Sequence, residues 1–148
     1  MARVVPPEGL FLREWRIAKD WILGDLADRA RISPAQLSGF ETGRSKLSRR
    51  ELIQVIAVMY PDGVIARNQR DAFLFGESRT TFGWLLWEWR RETDTYPAFM
   101  AAGSGLTDAE LSSIEHGEMP VDPQTVRLLI AFMFEDGPTA HHLRKEAK

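Results

Sequence analysis

The sequence contains no cysteine at all. That excludes a disulfide framework, a thiol nucleophile and a cysteine-based zinc site, and it fits a reducing compartment, with the cytoplasm as the expected location. Histidine is nearly as scarce, at three in 148 residues. No Gly-rich phosphate loop and no Ser/His/Asp or paired-carboxylate spacing stands out either. The reading is therefore a non-enzyme with no cofactor and no metal, and the adjacent His141 and His142 are taken as part of a loose tail over residues 141–148. Long apolar runs are also missing. Nothing approaches the roughly 18 residues a membrane helix needs, and residues 1–9 lack the pattern of a signal peptide, so no membrane association is expected.

A basic surplus is absent as well, since the net charge is -2 and the pI is near 5.9. Nucleic-acid binders usually carry a basic footprint that neutralises phosphates. The average hides an asymmetry, however. Residues 1–79 hold 13 Lys and Arg against 10 Asp and Glu, a balance of +3, whereas residues 80–148 hold 6 against 11, a balance of -5. The basic half comes first.

What is present is an internal repeat. A gap-free offset of 74 residues lays residues 11–59 over residues 85–133, with 14 of the 49 pairs identical. Ordinary residue frequencies would give roughly three. Among the identities are Leu12/Leu86, Glu14/Glu88, Trp15/Trp89, Arg16/Arg90, Asp20/Asp94, Leu37/Leu111, Glu41/Glu115 and Gly43/Gly117. The hydrophobic content of 44% is enough for one ordinary domain or two very small ones, and the repeat divides the chain at 1–79 and 80–148.

Each copy reads as a run of short helices. In the first, residues 11–20 place Phe11, Leu12, Trp15 and Ala18 at the spacing of a half-buried helix. Residues 24–30 form a second helix. Ser33 followed by Pro34 is an N-cap with proline at the first helical position, and Gly43 stops that third helix. Residues 49–60 form a fourth, with Leu52, Val55, Ile56 and Met59 on one face. After the turn at Pro61-Asp62-Gly63, residues 64–75 are predicted to form one more helix. The second copy repeats the plan over residues 82–92, 97–102, a helix capped by Thr107 and Glu110 and ended by Gly117, and 123–135.

Leu26-Ala27, Ile32-Ser33, Leu37-Ser38 and Phe40-Glu41-Thr42-Gly43 together resemble the Cro/C1 (XRE) helix-turn-helix family over residues 11–59. The segment from Met100-Ala101 to Ile114-Glu115-His116-Gly117 resembles the same pattern more loosely. The resemblance implies an all-α fold of two tandem lambda-repressor-like helix-turn-helix units, each of four to five short helices. It also implies double-stranded DNA as partner, a third helix in the major groove and a homodimer on a palindromic operator.

Leu37, Phe40 and Glu41 share one face of the third helix, whereas Ala35, Gly39 and Thr42 share the other. Ser33, Ala35, Gln36, Ser38, Gly39 and Thr42 are thus the candidate groove contacts, with Arg44, Lys46, Arg49 and Arg50 as candidate phosphate contacts. The outward face is small, and only Gln36 is a good bidentate partner for a base. Leu23 is apolar where the family often places a polar DNA contact. Two accounts stay open: close approach of a small-residue helix, or a fold whose DNA reading has weakened in favour of protein contacts.

The second copy has Glu118, Met119, Pro120 and Asp122 in place of the basic loop, which would repel DNA. It is the candidate for dimerisation or for a protein partner. Arg16 with Glu41 and Arg90 with Glu115 are expected to form structural salt bridges, as in the family. Trp84, Trp87 and Trp89 cannot all share one helix face, so Trp84 and Trp87 are expected either to pack on the 64–75 helix, with Phe73 and Phe75, or to form an interface. A DNA-binding regulator thus competes with a helix-turn-helix interaction module of antitoxin-like or antiactivator type.

Overall fold

Prolines and capping side chains decide where the helices begin. In the computed structural model, which describes residues 5–63, 66 and 81–146, nine helices and no strand occur among the described residues. They are α1 (Pro7–Ala18), α2 (Leu23–Arg29), α3 (Pro34–Glu41), α4 (Arg49–Met59), α5 (Thr81–Glu92), α6 (Pro97–Gly103), α7 (Asp108–Glu115), α8 (Pro123–Met133) and α9 (Pro138–Glu146). Pro7, Pro34, Pro97 and Pro123 each lie in a first turn, where the missing N–H costs nothing. Capping boxes start α3 (Ser33 with Gln36), α4 (Ser48 with Glu51) and α7 (Thr107 with Glu110), each satisfying two backbone N–H groups that the helix leaves open.

The repeat is carried into three dimensions without drift. Every boundary of α1 to α4 recurs 74 residues later in α5 to α8. The left-handed residues recur too: Asp20 and Asp94 at φ 59° and 54°, Arg31 and Gly105 at 61° and 72°, Gly43 and Gly117 at 78° and 73°. The fold is therefore all-α and consistent with tandem helix-turn-helix-like units. Two expectations change. Helix α1 starts four residues earlier than residue 11, because Pro7 sets its first turn. The supposed tail over 141–148 belongs instead, through Glu146, to α9, which packs on α8 and buries Ala140. The helix expected over residues 64–75, with Phe73 and Phe75, lies outside the described residues apart from Ala66, which is helical.

Buried side chains of both units form one continuous apolar cluster. Helix α1 packs on its own α3 and also on α5 and α8 of the second unit. Phe11 meets Phe134 edge to face at 5.3 Å, and Lys19 bonds Glu92 at 2.9 Å. The contact is reciprocal: Glu14, buried, lies against Gly137 and accepts a 2.9 Å hydrogen bond from the Thr139 N–H, while Glu88, its counterpart, lies against Gly63, the counterpart of Gly137. A patch that contacts its own repeat image is the geometry of a two-fold dimer, here within one chain. The Glu14 carboxylate stands at the N-terminus of α9, where the helix dipole favours negative charge.

Close backbone approach explains two glycines. A methyl group at Gly9 would collide with the Phe40 carbonyl oxygen, and one at Gly83 with the Glu115 carbonyl oxygen. Alanine in a helix interior normally gains about 1 kcal/mol over glycine. Overpacking against rigid backbone costs about 1–3 kcal/mol and should outweigh it. Gly83→Ala is therefore expected to lower the urea midpoint, and a raised midpoint would contradict the close approach.

Tyr60 ends α4 with its hydroxyl buried and without a hydrogen-bond partner. Burial, aided by the negative charges of Glu92 and Glu88, holds that hydroxyl well above its usual range. Below the unfolded value of about 10 both states keep the proton; above it the unfolded chain loses the proton first, so stability falls as pH rises. Tyr60→Phe should make the fall in unfolding free energy above that pH shallower. Identical slopes in the two proteins would show that Tyr60 titrates freely when folded.

Candidate nucleic-acid interface

The geometry of α3 starts from its cap. Ser33 Oγ accepts from the Gln36 N–H at 3.0 Å, and Gln36 Oε1 accepts from the Ser33 N–H at 3.0 Å. The Gln36 amide also donates to Glu51 on α4 at 3.0 Å, tying the entry of α3 to the entry of α4. Hydrogen bonds from the Ser48 backbone N–H, then the Ser48 hydroxyl, and least of all from Gln36 hold the Glu51 carboxyl below its usual range. At the other end of α3, Thr42 Oγ1 donates to the Ser38 carbonyl at 2.9 Å, and Gly43 in the left-handed region turns the chain out.

Bidentate ion pairing orients α3 from beneath. Arg16 Nε and Nη2 reach the two Glu41 oxygens at 2.9 Å each, and Arg16 Nη1 donates to the Trp21 carbonyl at 3.3 Å. The Glu41 bond raises the Arg16 pKa despite opposing desolvation. The second unit repeats the brace, with Arg90 bonding Glu115 at 3.1 and 3.2 Å. Both expected pairs are formed, and each joins the first helix of its unit to the third.

Ser33, Ala35, Gln36, Ser38 and Thr42 are all exposed, as are Arg44, Lys46 and Arg50. Among the described residues none of those three cations is ion-paired. Arg49 is half-buried, with its Nε enclosed and unpartnered. Gly39 is the correction: it is buried, not outward, because Ser45 folds back over it and the Ser45 side chain occupies the space a Cβ would need. The Arg44 and Ser45 N–H groups both donate to the Gly39 carbonyl, at 2.7 and 3.1 Å. Helical periodicity places Gly39 on the open side of α3 and carries no information about the returning loop.

Whether Trp84 and Trp87 pack on the 64–75 helix lies outside the described residues. Trp84 and Trp87 are half-buried, edge to face at 6.2 Å, with the Arg91 guanidinium 4.9 Å from the Trp87 ring centre. Among the described residues the exposed aromatics are Tyr96 at 70% and Phe99 at 67%, paired at 6.4 Å where α6 begins. Their repeat partners, Ile22 and Asp25, start α2. No periodic signal marked Tyr96 and Phe99, since two aromatics three residues apart read equally well as a core stripe.

Residues 9–60 match a family model described as a helix-turn-helix domain. The first unit is thus a helix-turn-helix domain, consistent with the Cro/C1 (XRE) resemblance, and the second unit lies outside the match. No curated protein and no solved structure matches the chain significantly. Among the described residues no helix is long and apolar enough to cross a membrane.

Proposed function

We propose that the chain is a transcriptional regulator that binds operator DNA through α3 and the loop after it, acting as a repressor in the cytoplasm. A helix-turn-helix domain points to DNA binding in general. The observation that carries the finer reading is the exposed cluster Arg44, Lys46 and Arg50, without an ion pair among the described residues, beside the open face of α3. Such cations release condensed counterions when they meet phosphates. Ser33, Gln36, Ser38 and Thr42 would then read the groove, with Ala35 allowing close approach.

Gln36 enters this reading with a cost attached. Its amide is engaged at both ends, with Ser33 and with Glu51, so bidentate contact with a base requires giving up the cap or the Glu51 bond. The second unit would serve as the built-in partner of the first. A homodimer, if formed, would have to use a face other than the one α1 shares with α5 and α8.

The test is selection of bound sequences from a random duplex pool at several salt concentrations. Enrichment of a defined motif supports an operator-binding regulator, and a palindromic motif supports its homodimer. Absence of salt-sensitive retention favours the second reading, an interaction module of antitoxin-like or antiactivator type. That alternative is favoured for the second unit by its exposed Tyr96 and Phe99.

A further inference from the structure

The two units carry opposite charge at the same positions of the repeat. Residues 18–52 hold seven Lys and Arg against five Asp and Glu, whereas their images, residues 92–126, hold seven Asp and Glu and no Lys or Arg. Arg44 becomes Glu118, while Pro34 and Ser48 become Asp108 and Asp122. Because the helix boundaries coincide 74 residues apart, the image of the basic face beside α3 is an acidic face beside α7. Asp108, Glu118 and Asp122 are exposed, and among the described residues none of them is ion-paired.

Among the described residues the chain does not close the two faces on each other. Helix α3 packs on α1 and α2, α7 packs on α5 and α6, and no ion pair joins one charged face to the other. The packed pair of α6 and α7 also leaves Tyr96 and Phe99 in solvent, and Ile22, the image of Tyr96, is 70% exposed beside α2. Exposed apolar side chains of that size, grouped on one element, mark contact surfaces. A net charge of only -2 puts little repulsion between copies of the chain.

We propose that the acidic face beside α7 of one copy docks on the basic face beside α3 of a second copy, with Asp108 and Glu118 set against Arg44, Lys46 and Arg50. Complementary charge steers the encounter and fixes which faces meet. Exposed ion pairs by themselves hold little, and the apolar surface of Tyr96 and Phe99 supplies the rest. The contact joins different faces of identical chains, so it extends to further copies or closes into a ring. It needs no DNA and is independent of the operator reading. Where DNA also binds, the second copy covers the same cations and competes with it.

Complementary variants of the full chain test the contact by sedimentation velocity, with no DNA present. The unaltered chain should assemble as its concentration rises at low salt. It should return toward the 16.9 kDa monomer at high salt, because the screening length falls from about 10 Å at 0.1 M to about 3 Å at 1 M. Arg44→Glu with Lys46→Glu removes the basic face, and Asp108→Asn with Glu118→Arg removes the acidic one; all four positions are exposed, so the fold is retained. Each variant alone should self-associate more weakly by about tenfold or more. Mixed, the two should form a 1:1 dimer that grows no further, since one usable contact remains. An unaltered chain that stays monomeric at low salt overturns the proposal, as does assembly indifferent to salt. So does a mixture whose components stay apart, or a variant that assembles as tightly as the unaltered chain.

Discussion

Arg16→Ala is expected to destabilise the folded chain by about 3 kcal/mol, a large share of the stability of a small protein. The Glu41 side chain is only 4% exposed, so removing the guanidinium leaves a carboxylate in a poorly solvated place with both oxygens stripped of their partner. An exposed ion pair would cost no more than about 1 kcal/mol when broken. The two cases separate cleanly in a urea titration. Because the loss reflects an orphaned charge, replacing both partners with apolar residues, Arg16→Met with Glu41→Leu, should recover most of the stability. A loss below about 1 kcal/mol from Arg16→Ala would put the pair in the exposed class. Arg90→Ala should behave similarly, since Glu115 is 6% exposed and the bonds are only slightly longer.

The combined change of Arg44, Lys46 and Arg50 to alanine should act on the opposite quantity, weakening DNA binding at every sequence while leaving stability nearly intact. All three side chains are exposed and, among the described residues, unpaired, and truncation of such positions usually changes stability by less than about 0.5 kcal/mol. Each lost phosphate contact lowers the slope of log affinity against log salt by about 0.9, so three together flatten it by about 3. Between 50 and 200 mM salt that corresponds to roughly a 40-fold smaller loss of affinity. Fluorescence anisotropy with one duplex at four salt concentrations measures it. An unchanged slope would remove these residues from the phosphate path and take the proposed orientation of α3 with them.

Both results depend on features that were legible in the chain to different degrees. The Arg16/Glu41 pair and its image Arg90/Glu115 were visible because the repeat places identical residues at identical offsets and the family resemblance gives the pair a role. The basic loop was visible as a charge run beside a helix stop. Gln36 was visible as the one base-reading side chain but not as a link to Glu51, which is 15 residues away and on another helix. Gly39 was misplaced for the same reason: a helical wheel orders residues around one axis and is blind to the Ser45 loop that closes over it.

The starts of α3 and α7 and their stops at Gly43 and Gly117 were determined by the sequence alone, because capping boxes, prolines and glycines act within four residues and the repeat states the same instructions twice. The docking of the two units was decided only in the tertiary structure. Helix α1 carries enough apolar surface to serve its own core and a second one, and nothing local specifies that the second is α5 and α8. The helical state of residues 138–146 shows the same division, since that stretch buries little of its own and its first turn is held by Glu14, 125 residues upstream. Local hydrogen-bonding chemistry is short-ranged and can be read in order along a chain, whereas packing partners are chosen by which surfaces the folded backbone brings together.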